Sequence, residues 1–240
     1  MIKGNRRLTK ENRIFLTALA LFVVVMIYRY FSRHMTEFNT TLYAFHYGYG
    51  FISRALLGSL WALIDWISPS DLMNYLSIYR FNEIMTLVYI IAFFLFFRCC
   101  LRNGAKEDMR NMRYLIIFLS IFAFPIFLCR MNFGRIDIFL FMITLGSLIL
   151  LIKERVEWLI IPLCILAECL HHGFVFMNVN IILVLLLYKA IMKQEKRERR
   201  KYFVLFGIVF LTVSAFFLYF EFFSHADGEH IYEEVVDTAT

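Results

Sequence analysis

The chain has 240 residues, of which 61% are hydrophobic and 18% aromatic, with a formal net charge of +6. Soluble domains carry about half apolar residues, and the mean hydropathy of +0.67 lies well toward membrane proteins. The basic residues fall in short blocks between apolar runs, which is how membrane chains set their orientation, so nucleic acid is not an expected partner.

With three prolines and no Gly/Ser-rich linker, residues 1–240 read as one integral membrane domain. Cys99, Cys100, Cys129, Cys164 and Cys169 lie in or at the ends of apolar runs without C-x-x-C spacing. Neither a disulfide framework nor a zinc site is therefore expected.

A bilayer core of about 30 Å needs roughly 20 helical residues. The first such run, 14–31, is too long for a signal-peptide core and reads as a retained anchor. An outer loop, 32–83, follows. Its aromatic run Tyr43–Tyr49 reads as an ordered turn next to Gly48 and Gly50. Phe51–Ile67 places Ile52, Leu56, Leu60 and Leu63 on one helical stripe, with Trp61 and Trp66 suited to an interface. This segment reads as an amphipathic helix on the outer leaflet, carrying Arg54. Further spans are expected at 84–100, 114–129, 136–152 and 202–223. The tail 224–240 has five acidic residues and no Lys or Arg. It reads either as a disordered end or as the start of an external region.

Trp158–Tyr188 decides the topology. As one helix its 31 residues would extend about 46 Å at roughly 1.5 Å per residue. As a hairpin it gives two short segments, 158–171 and 174–188. With the N-terminus inside and a hairpin here, 19 of the 25 Lys/Arg fall on the inner face. A single crossing would place the seven-charge block Lys189–Lys201 outside, against the positive-inside rule. The expectation is therefore an all-α polytopic bundle of seven segments, N-terminus in and C-terminus out.

Six basic residues are left unexplained by orientation, among them Arg54, Arg130 and Arg135. Arg130 and Arg135 bracket a short outer turn with Asn132 and Asp137, a compact site for an anion. Arg suits bidentate phosphate contacts. A structural pairing of Arg135 with Asp137, or of Arg130 with a lipid phosphate, is the alternative. Glu168, His171 and His172 lie inside the hairpin. Residues three and four apart share a helix face, so Glu168 can orient either imidazole as a general base. The alternative is a cluster that only holds its own turn. Arg54, with His46 and Glu37 in the same loop, forms a third group.

The segments Tyr47–Gly58, Asn132–Phe141 and Glu168–Phe176 resemble those of bacterial O-antigen and exopolysaccharide polymerases. The layout is similar to that of the GT-C class of membrane glycosyltransferases. Those enzymes place a catalytic Asp, often paired, early in the first outer loop, where this chain has an unpaired Glu37. The resemblance implies glycosyl transfer from polyprenyl-phosphate-linked sugars at the outer face. Arg130, Arg135 and Arg54 would bind phosphate. His172 or His171, with Glu168, would act as base, Glu37 being a less favoured one. Asn132, Asp137 and His46 would support them. Neither metal nor cofactor is implied, and no motif for nicotinamide, haem or nucleotide is present. Membrane lipid and other subunits of a polysaccharide assembly pathway are the implied partners. The alternatives are a transporter or flippase for an anionic lipid-linked glycan, and a non-catalytic scaffold.

Overall fold

A computed structural model describes residues 35–67, 75–103 and 133–224, together with Thr17, Ala20, Val24 and Tyr28. The last four are helical and exposed. The expected segment 114–129, Arg130, Asn132 and the tail from 225 lie outside the described residues. Among the described residues the regular structure is all-helical, and the only β-type contact is an isolated bridge from Met35 to Phe133.

The helices are α1 (Glu37–Thr41), α2 (Ala55–Ile67), α3 (Tyr75–Asn103), α4 (Asp137–Lys153), α5 (Ile160–Leu170), α6 (Phe174–Met177), α7 (Val179–Met192) and α8 (Lys196–Phe222). Single 3-10 turns lie at Tyr47–Tyr49 and Glu157–Leu159. Among the described residues two helices are long and apolar enough to cross a membrane, α3 over Tyr75–Phe93 and α8. Both carry large apolar side chains on their outer surfaces, among them Ile84, Ile91, Phe210 and Leu211.

The path of the bundle follows from contacts at its two ends. α4 begins near Arg54, which feels the charge of Asp137. It ends beside α7, where Lys189 Nζ lies 2.6 Å from Glu154 Oε1. α5 runs back to the Arg54 end, where His171 follows its last turn. α7 returns to the Glu154 end. There α8 starts, with Lys201 Nζ 3.0 Å from Glu157 Oε1, and it climbs back until Ser224 donates to Phe51 O at 3.0 Å. Trp158–Tyr188 is thus a reversal of the chain. α4 sits among α3, α5 and α7, and α8 covers α5 and α7. Leu140, Leu145, Ile160, Cys164, Ile182, Leu186, Leu205 and Val209 fill the centre.

Two boundaries differ from expectation. α3 starts at Tyr75, not 84, so the loop before it is shorter. Asn82, polar and 2% exposed, is accommodated because its amide donates to Ile78 O at 2.9 Å and its oxygen accepts from Tyr43 OH at 2.8 Å. α8 starts six residues before 202, because Lys, Arg and Glu are good helix formers. The hairpin arms are short: α5 has 11 residues and α7 has 14. At roughly 1.5 Å per residue they reach about 16 and 21 Å, less than a bilayer core.

Candidate functional site at the Arg54 end

The site is assembled by a loop packed on the ends of α4, α5 and α8. The loop is held in place by Gly58. A Cβ there would lie 2.0 Å from Phe45 O and 2.6 Å from Tyr43 O, so the backbone of Tyr43–Phe45 crosses α2 at a point only glycine allows. Ser59 Oγ then accepts from Tyr47 N–H at 2.8 Å. Phe51 continues the contact to α8, with its ring 5.6 Å from Tyr219 and 5.4 Å from Phe220.

A local pattern occurs twice. In His46-Tyr47-Gly48 the His46 Nδ1 accepts from Gly48 N–H at 3.0 Å. In His171-His172-Gly173 the His171 Nδ1 accepts from Gly173 N–H at 2.9 Å. In each, the middle residue donates its N–H to a serine: Tyr47 to Ser59, and His172 to Ser53 at 3.0 Å. The two turns are therefore built alike, each pinned to a serine by its middle N–H. His46 also stacks on Tyr49 at 4.2 Å between centroids. It shapes its turn.

Arg54 is not on the amphipathic helix, as expected, but in the turn before α2, with φ of 75°. A non-glycine residue there is unusual and marks a constrained backbone. This turn aims the guanidinium onto the hairpin. Arg54 Nη2 lies 2.9 Å from His171 Nε2. Its Nε is buried without a hydrogen-bond partner. Burial, and then Arg135, loosen its hold on its proton, while Asp137 opposes this; arginine stays charged regardless.

The Arg54–His171 contact has a donor problem. A neutral imidazole has one bare nitrogen and one N–H. Two donors meet this ring, Gly173 N–H at Nδ1 (2.9 Å) and the Arg54 guanidinium at Nε2 (2.9 Å). A neutral ring accepts from only one of them, so one donor is left over for an acceptor oxygen.

Arg135 Nε is 2.7 Å from Asp137 Oδ2, the structural pairing that the sequence left open. The pair is incomplete: Asp137 Oδ1 is buried without a partner, and the Arg135 side chain is 42% exposed. His172 packs its ring 6.3 Å from Phe217 and has a buried, unpartnered Nδ1. Burial, then the charge of Arg54, lower its pKa, and Glu221 opposes them, so the ring is neutral near pH 7.

Glu168 does not pair with either histidine. It is fully buried, and neither carboxyl oxygen has a hydrogen-bond partner. The expected acid–imidazole contact is thus not formed, because His171 leaves the helix in an extended conformation with φ of −166° and breaks the shared face. Glu37 opens α1, which Thr36 caps, and its side chain lies outside the described ones. The structure brings together Arg54, Arg135, Asp137, His171 and His172. Ser53 was missed by sequence reasoning, although the repeated His-x-Gly was a visible signal that two turns need similar anchors. No family model matches the chain, nor does any curated protein or solved structure.

Proposed function

We propose that the protein is a membrane-embedded glycosyl-transfer enzyme acting on polyprenyl-phosphate-linked sugars, with its site at the Arg54 end of the bundle. The observation that carries this reading is the surplus of donors at His171, where the Arg54 guanidinium and Gly173 N–H meet a ring with one bare nitrogen. An oxyanion would accept from the Arg54 guanidinium and from His171 Nε2–H together. A phosphate headgroup supplies such oxygens, and the apolar surfaces of α3 and α8 suit its lipid tail. The seven-segment arrangement with the N-terminus inside belongs to this proposal and puts the site on the outer face.

In the reaction the acceptor hydroxyl gives its proton to His172 Nδ1. Its oxygen bonds to the anomeric carbon as the bond from that carbon to the phosphate oxygen breaks. The bonding pair leaves with the polyprenyl phosphate, where Arg54, Arg135 and His171 Nε2–H meet the growing negative charge. Fixed donors of this kind stabilise a transition state because they need no reorganisation. His171 is a donor in this scheme and His172 the base, which divides roles that the sequence left shared. Arg130 remains a second phosphate ligand in the proposal.

The test is elongation of a polyprenyl-phosphate-linked sugar by purified protein in detergent. Arg54→Gln and His172→Ala should each abolish the product while leaving protein level unchanged, and Arg54→Lys should restore little of it. Normal product from both variants would overturn the assignment. A transporter of the same lipid-linked glycan is the second reading, favoured by Glu168, since a buried carboxyl without partners suits a proton carrier. Elongation without any sealed compartment excludes pure transport.

A further inference from the structure

The opposite end of the bundle carries a second site. The block Lys189–Lys201 holds seven basic residues. Three of them are used internally: Lys189 and Lys193 on Glu154, and Lys201 on Glu157 and Glu198. Lys196, Arg199 and Arg200 make no ion pair among the described residues, although Glu195 and Glu198 are close in sequence. These three cations line one groove of about 670 Å³, together with Ile191, Phe203 and Val204.

The groove is divided by chemistry along the helix axis. Lys196, Arg199, Arg200, Phe203 and Val204 recur at three- and four-residue steps and so share one face of α8. The cations occupy the start of this face, and the apolar pair follows one turn on. Ile191, from the end of α7, is 64% exposed, Phe203 is 46% and Val204 is 43%. From Tyr202 onward α8 is apolar for about 31 Å at roughly 1.5 Å per residue, the depth of a bilayer core. With α8 across a membrane, the cations would stand at headgroup level and the apolar wall at the level of the first acyl carbons.

We infer that this groove binds an anionic phospholipid, with its phosphate and headgroup on Lys196, Arg199 and Arg200 and an acyl chain along Ile191, Phe203 and Val204. Charge complementarity chooses the occupant. A zwitterionic lipid would bring its own ammonium group into a groove already holding three cations. Arginine suits phosphate because its planar fork makes paired hydrogen bonds. Free phosphate would leave the apolar wall exposed. The inference rests on α8 crossing a membrane and is independent of the chemistry proposed at the Arg54 end. It also gives the basic block a function beyond orienting the chain: a bound lipid clamps α7 to α8.

The experiment is native mass spectrometry of the purified full chain in detergent. It is titrated with phosphatidylglycerol and, separately, with phosphatidylcholine of the same acyl chains. Phosphatidylglycerol should be retained through several washes and phosphatidylcholine lost. The combined variant Lys196→Gln, Arg199→Gln, Arg200→Gln should bind phosphatidylglycerol roughly tenfold or more weakly, as the loss of three surface cations implies. Arg54→Gln should bind it like the unaltered chain, which separates this site from the other. Equal retention of both lipids would overturn the inference, as would unchanged phosphatidylglycerol binding by the triple variant. Displacement of the lipid by millimolar inorganic phosphate would also overturn it, since the apolar wall would then contribute nothing. Headgroup selectivity of the unaltered chain decides the matter alone if the triple variant does not fold.

Discussion

Arg54 and His171 are 117 residues apart in sequence and 2.9 Å apart in space. Nothing local in the sequence announces that contact. Glu168, His171 and His172 were legible, because ionisable residues in an apolar run stand out. Their arrangement was not, because it depends on where the helix ends. Had α5 continued one more turn, Glu168 would face His172; instead His171 is extended and turns back onto Gly173 N–H. The consequence for Glu168 is a carboxyl buried with neither oxygen partnered. Such a group is costly to keep away from water. Glu168→Gln removes the ionisable group at nearly constant volume and should raise the melting temperature in detergent. A lower melting temperature would mean that the acid makes a stabilising contact. Ser53→Ala should act oppositely, since it removes the acceptor for His172 N–H. The expected loss is about 1 kcal/mol, read as a lower melting temperature, with reduced elongation because the His172 turn loses its anchor.

At the level of elements, charge was more informative than periodicity. The hairpin in Trp158–Tyr188 was legible only because Lys189–Lys201 must share a face with the turn Lys153–Glu157, and the ion pairs between these two regions give the physical reason. The start of α3 was not legible, since Arg80, Asn82 and Glu83 look like loop, and the Asn82 oxygen is satisfied by a tertiary contact from Tyr43. Of the expected stripe Ile52, Leu56, Leu60 and Leu63, the structure exposes Leu60 and Leu63 and buries Ile52, and the helix begins after Arg54. The opposite face of α2 depends on Gly58. Gly58→Ala must push its Cβ into two carbonyl oxygens that belong to backbone. Overpacking of side chains alone costs about 1–3 kcal/mol, so loss of folded protein is expected. Gly146→Ala and Gly207→Ala, with open space around their Cβ positions, should express and melt normally. Equal behaviour of all three variants would show that α2 does not pack against Tyr43–Phe45.

Across the whole molecule, the two ends are built on opposite principles. The Arg54 end leaves donors and acceptors unpaired: Arg54 Nε, Asp137 Oδ1 and His172 Nδ1. The other end pairs its buried charges closely. Lys189, 4% exposed, and Lys193 both reach Glu154, and Tyr202 OH donates to Glu157 at 3.0 Å. The tight turn between α4 and α5 accepts left-handed backbone at Glu154 and Val156 to make this possible. Burial works against ionisation of Glu154, but hydrogen bonds from Lys189 and Lys193 outweigh it and hold the carboxyl at about 2. Lys189 tells a less favourable story: burial pulls its pKa down by more than Glu154 restores. The carboxylate is the better guide to acid behaviour, because the lysine is charged throughout the acid range. A carboxyl depressed in the folded state contributes stability above its ordinary pKa and loses it as pH falls. For Glu154 the loss runs from about 4.5 down through about 2. Its side chain is 38% exposed, so solvent screening keeps the effect modest. The melting temperature of the unaltered chain should therefore fall on acidification through that window. Glu154→Gln should start lower near neutral pH, and the two curves should converge as pH approaches 2. Parallel curves over the whole range would mean that the Glu154–Lys189 contact does not hold α4 to α7.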